Sequence, residues 1–134
     1  MCTDNNYYAG LPELVLSVDK SIRYSAVVDR LGYVIAQKYR EHLQPVMTAE
    51  ETRRYALQAT IRQSTRSTWD EKLGKSLYSC TRYEHLVRIA IPLADGHLLL
   101  LSCDAETKNV DSLVRNKITP KLESFHSQDA NYAS

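Results

Sequence analysis

The sequence predicts a single α+β domain built on a five-stranded antiparallel sheet, with elements in the order α-β-β-α-β-β-β-α. Three observations carry that expectation. Residues 24–40 read as a hairpin: Ala26, Val27 and Val28 run into Asp29-Arg30-Leu31-Gly32, and Tyr33, Val34, Ile35 and Ala36 run out again. Thr48-Ala-Glu-Glu51 has the spacing of a capping box and opens a long helix. Beyond Gly74, three strand-like runs follow one another at short intervals.

The elements follow in order. Leu11, Leu14, Val15, Val18 and Ile22 place one apolar stripe on a short helix over 11–22, with Pro12 where a first turn tolerates it. Gly32 supplies the backbone freedom of the hairpin reversal. A polar connection over 41–47 contains Pro45. The helix opened by Thr48 is expected to run to Leu73, stopped by Gly74, for a length of about 39 Å. Strands are expected over 76–83, 86–93 and 97–103. Val87, Ile89 and Ile91 alternate in the second, and four consecutive leucines in the third indicate burial on both faces. A last helix covers 110–118 with Val110, Leu113, Val114 and Ile118 inward. Pro120 bends or ends it, and Leu122 and Phe125 continue the apolar contact. The expected layout is a flexible tail over 1–10, one domain over 11–125 and a flexible tail over 126–134. In it, the long helix covers one face of the sheet and the terminal helices cover the other.

Composition narrows the function classes. At 134 residues, one core of useful size fits. Seventeen basic and sixteen acidic residues give a formal charge of +1, so no global field draws the chain to nucleic acid or anionic lipid. No apolar run approaches the roughly 20 residues a membrane helix needs. The N-terminus MCTDNNYYAG lacks a basic region followed by an apolar core, so a cytoplasmic protein is expected. Cys2, Cys80 and Cys103 cannot all pair and form no CxxC, which fits reduced thiols.

The long helix carries the sharpest functional signal. On a 3.6-residue wheel, Ala49, Thr52, Ala56, Ala59, Thr60, Gln63 and Ser67 form a small-residue face that lets a helix lie close to a sheet. Leu57 and Ile61 are expected to extend its apolar edge. The opposite side collects Tyr55, Arg62, Arg66, Trp69 and Leu73, residue types enriched at protein interfaces. In the third strand, Tyr78 and Arg82 join them on an edge polar enough to pair with another chain. These seven residues are the candidate partner interface, and the expected partner is a second copy. The opposing reading has Trp69 and Leu73 folding back on the domain while the arginines are merely solvated.

Other chemistries find less support. Arg53, Arg54, Arg62 and Arg66 beside Tyr55 and Trp69 have the residue types of a nucleic-acid platform, but no recognition motif accompanies them. Cys80, His85 and Cys103 are the only metal-ligating residues that neighbouring strands bring near one another, and no cofactor is expected. GxSxG, GxxxxGK[ST], HExxH and GxGxxG are absent, so the chain reads as non-enzymatic. The alternative to an interaction module is a small-molecule sensor with a pocket between the sheet and a terminal helix.

The element order, the AVVDRLGYVIA hairpin and the IPLADGHLLLLS hairpin resemble the profilin-like arrangement of the roadblock / dynein light chain family, over roughly residues 11–119. The stretch WDEKLGKSLYSCTRYEHLVRIAIPL also resembles an uncharacterised group of small archaeal single-domain proteins. The family resemblance implies a homodimer that regulates partners such as small GTPases or other regulatory proteins.

Overall fold

In a computed structural model, which describes residues 5–133, five antiparallel strands form one sheet in the order β2-β1-β5-β4-β3. The strands are β1 (Ile22–Val28), β2 (Val34–Tyr39), β3 (Ser79–Arg82), β4 (Leu86–Pro92) and β5 (Leu98–Asp104). The leucine-rich β5 lies at the centre, paired with β1 on one side and β4 on the other. Its alternation divides the four leucines between two cores. Leu99 and Leu101 join the larger cluster, and Leu98 and Leu100 join the smaller one. Burial on both faces is why the run shows no polar alternation.

The larger core lies under helix α1 (Leu11–Leu16) and the C-terminal helix. The short helix ends earlier than the stripe over 11–22 implied. Ile22 already belongs to β1 and is buried there. An apolar residue at the head of an inward-facing strand fits a helical spacing by coincidence, and strand pairing with β5 decides the matter.

The C-terminal helix does not stop at Pro120. It opens as α4 (Val110–Ser112), widens into a π-helical stretch at Leu113–Ile118, and continues as α5 (Thr119–Ala133). A proline inside a helix lacks its N–H and clashes with the carbonyl four residues back. The wider π turn just before Pro120 accommodates that ring. Before α1, a 3₁₀ turn at Asn5–Tyr8 places the Tyr8 ring in the larger core. Tyr7 packs against Phe125, and its hydroxyl lies 2.8 Å from His126 Nδ1. Of the two expected tails, residues 1–4 and 134 lie outside the described residues.

On the other face, helix α2 (Ala49–Ser67) covers the smaller core of Val28, Leu98 and Leu100. The capping box forms as the sequence requires. The Glu51 N–H donates to Thr48 Oγ1, and the Thr48 N–H donates to Glu51 Oε1. The helix breaks at Thr68–Trp69 and resumes as one turn, α3 (Asp70–Leu73), which Gly74 terminates at φ 85°. Ser and Thr hydroxyls bond back to carbonyls at Thr60, Thr65, Ser67 and Thr68, so the end of the helix competes with its own side chains. Among the described residues, no helix is long and apolar enough to cross a membrane.

Candidate interaction surface

Helix α2 approaches the sheet through its small-residue face, with Ala56 and Ala59 only 0% and 3% exposed. Leu57 and Ile61 do not extend that buried edge and are largely exposed. Leu57 instead lies against the β1–β2 turn, so close that a β-carbon built on Gly32 would stand 2.9 Å from Leu57 Cδ1. The small side chains at the centre of the face are covered while the larger ones beside them are not.

The other flank of α2 faces β4 and β3. Tyr55 belongs here and not to a side opposite the sheet. Its ring packs against the smaller core, with the Arg88 guanidinium 4.3 Å above its centroid and that of Arg62 at 5.3 Å. At 100° per residue, Tyr55 stands a quarter-turn from Ala56, and a long ring at that angle reaches down to the sheet. Burial pushes the Tyr55 phenol above its usual range, against the lowering influence of Arg88. Arg62 and Arg66 follow on the same flank. Trp69, Leu73 and Leu77 stand at the corner after the helix, 61%, 81% and 61% exposed.

Strand β3 is the outer edge of the sheet, paired only to β4, with Ser79 opposite Ala90 and Arg82 opposite Val87. Tyr78 and Arg82 lie on the face covered by the C-terminal helix, and both are held within the chain. Tyr78 donates to Asp111 Oδ1 at 2.6 Å, and this bond pushes the phenol upward. Arg82 donates from Nη1 to the Ala105 carbonyl and from Nη2 to the Thr107 carbonyl. These bonds fasten the edge strand to the loop after β5. The seven sequence-derived candidates therefore fall into three groups: Tyr55, Arg62 and Arg66 on the α2 flank, Trp69 and Leu73 at its end, and Tyr78 and Arg82 beneath the edge.

Between that flank and the end of β3 lies a mainly apolar groove of about 490 Å³, walled by Met47, Tyr55, Tyr83 and Leu86 with Glu84, His85 and Arg88 among them. Arg88 is half-buried, contacts the Met47 sulfur and forms no ion pair among the described residues. The sequence reading missed this residue. Its signal was present in β4, where Leu86, Arg88 and Ala90 alternate with Val87, Ile89 and Ile91, which places a charge on the face that α2 covers.

A second groove of about 750 Å³ runs between Ile91–Leu93 at the end of β4, the 75–77 segment and the C-terminal helix at Arg115, Thr119 and Glu123. The Gln63 side-chain carbonyl oxygen, buried beside it, has no hydrogen-bond partner among the described residues. Cys80 is exposed, while burial pushes the Cys103 thiol up to about 12. Among the described residues, no cluster of three His, Cys, Asp or Glu residues is placed to hold a metal.

No protein-family model matches the sequence, and no curated protein matches it either. Solved structures do match in shape. The roadblock/LC7 domain from Streptomyces avermitilis superposes with a TM-score of 0.66 at 10% identity, covering 92% of this chain and 96% of that one. Myxococcus xanthus MglB gives 0.70 at 12% identity, covering 100% and 95%. A structure of MglB with tetrameric arrangement gives 0.69 at 16% identity, covering 93% and 90%. The chain therefore has the roadblock/LC7 fold.

Proposed function

We propose that the protein is a non-enzymatic regulatory or scaffolding module that acts through protein–protein contact as a homodimer. The observation that carries this reading is the junction of β3 with the α2 flank. Among the described residues, a four-residue edge strand pairs on one side only, which leaves its outer side for another strand, beside a corner where Trp69, Leu73 and Leu77 are exposed together. A two-fold axis through β3 would extend the sheet across two copies and bring the α2 flanks side by side. Arg62 and Arg66 then require acidic relief, which Glu51 or Asp70 of the other copy can supply. The tetrameric arrangement of one MglB structure supports association as a property this fold accommodates.

The paired helices and sheet would present a composite surface to a further protein. By its fold, a small GTPase or another regulatory protein is the expected partner class, and the cytoplasm the expected setting. Light scattering across a concentration series tests the dimer, with a mass near twice 15.3 kDa expected. Trp69→Glu should return folded monomers. An unchanged dimer with intact circular dichroism would remove Trp69 from the interface.

The groove beside Gln63 favours a second reading, a small-molecule sensor between the sheet and the C-terminal helix. A compound that copurifies and raises the melting temperature, with loss of the effect in Gln63→Leu, would favour it over the interaction module.

A further inference from the structure

The edge strand has an apolar knob at one end and a groove at the other. At its start, where Ser79 faces Ala90, the chain arrives from the exposed corner of Trp69, Leu73 and Leu77. Asp70 and Leu77 line the same surface as Pro92, which fixes that corner at the Pro92 end of the sheet. At the finish of the strand, where Arg82 faces Val87, the Tyr83 N–H bonds to the Leu86 carbonyl at 2.8 Å, and the Arg88 groove opens beside it. An antiparallel pairing of β3 with its own copy sets the start of one strand against the finish of the other. Knob and groove would then meet twice, once at each end.

The chemistry of the two ends also matches. The groove offers aromatic and thioether walls with an arginine that forms no ion pair among the described residues, although Glu84 lines the same groove. The corner offers an exposed indole followed directly by the carboxylate of Asp70, which likewise forms no ion pair among the described residues. Indole rings are favoured partners of guanidinium groups, and a guanidinium fork suits a carboxylate better than any other side chain does. We propose that in the dimer the Trp69–Asp70 corner of each protomer enters the Arg88 groove of its partner. The indole packs between Tyr55 and Tyr83, and the Asp70 carboxylate meets Arg88. This assignment rests on the dimer reading above and adds to it the contact that sets the register of the two copies. A one-sided patch would give open-ended association, whereas two reciprocal contacts close the pair.

Trp69 is the sole tryptophan of the chain, so intrinsic fluorescence reports this contact directly. Emission from the dimer should lie at shorter wavelength than emission from the diluted monomer. Arg88→Glu and Asp70→Arg should each weaken dimerisation at least tenfold, and the two together should recover most of that loss. Circular dichroism checks that each variant folds; if Arg88→Glu does not, Arg88→Gln with Asp70→Asn carries the same comparison, with a double-mutant cycle in place of the rescue. A dimer whose emission matches that of the monomer overturns the proposal and leaves the dimer intact. So do single charge changes that leave the dissociation constant within twofold. A monomer at every concentration overturns the dimer reading itself, and this contact with it.

Discussion

Gly32 shows how one position can serve two purposes. Its φ of 92° lies in the left-handed region that side-chain-bearing residues avoid, and it closes the β1–β2 turn with its N–H bonded to the Asp29 carbonyl. It also lies against α2, with no room for a β-carbon beside the Leu57 backbone and side chain. Gly32→Val should therefore cost on the order of 1–3 kcal/mol in chemical denaturation, backbone strain and clash together. An unchanged midpoint would show that the turn relaxes freely. The turn role is legible in the sequence, because Asp-Arg-Leu-Gly between two apolar runs is a local pattern. The close approach is not, because Leu57 lies 25 positions further on and nothing local relates the two. Arg88 is a parallel case. Its alternation is written in β4, but its position over the Tyr55 ring depends on where α2 comes to rest.

At the scale of elements, α2 depends more on its N-terminal cap than on burial along its length. Only Ala56 and Ala59 are buried along its 19 residues, so apolar burial contributes little beyond the centre. The cap then matters more than it would in a helix with a wide apolar face. Thr48→Ala should cost about 1 kcal/mol, with amide exchange rising first in residues 49–53. Equal protection in both proteins would show that packing on the sheet fixes the first turn by itself. The capping box was readable because it spans four residues. The break at Thr68–Trp69 was not, since Thr and Ser tolerate both a helix and its termination. The sequence left open whether Pro120 bends or ends the C-terminal helix, for a similar reason. Proline usually marks a boundary, but here packing of Leu113, Ile118 and Leu122 on the sheet carries the helix through it by way of a π turn.

The whole molecule is closed by contacts between its two ends. Lys117 on the C-terminal helix donates to Asp19 Oδ2 at 2.8 Å, beside the corner where α1 gives way to β1. That bond, reinforced by the Ser21 N–H, holds the Asp19 carboxyl down to about 2 from an ordinary value of 3.8. A carboxyl lowered by folding stabilises the folded state fully above its unfolded value, and the contribution disappears as pH falls from about 4 towards 2. The Lys117 side chain is about half exposed, so solvent screening reduces the effect to roughly 0.5–1 kcal/mol. Asp19→Asn should lower stability by that amount at pH 7 and flatten the loss between pH 4 and 2 in acid titration of the melting temperature. An identical acid profile in wild type and variant would assign the acid response to other carboxylates.

The sequence by itself determined the order of elements, the two-sided burial of β5, the hairpin turn, the cap of α2 and the edge position of β3. Each of these is written in contiguous residues, where periodicity, capping and turn chemistry act over a few positions. Tertiary structure alone decided which way Tyr55 turns, where Leu57 comes to rest, how Arg82 and Tyr78 are tied, and that Arg88 faces a groove with no ion-pair partner among the described residues. Those outcomes depend on how a small-faced helix sits across a twisted sheet. That docking is set by the summed packing of residues far apart in the chain, and no local pattern encodes it.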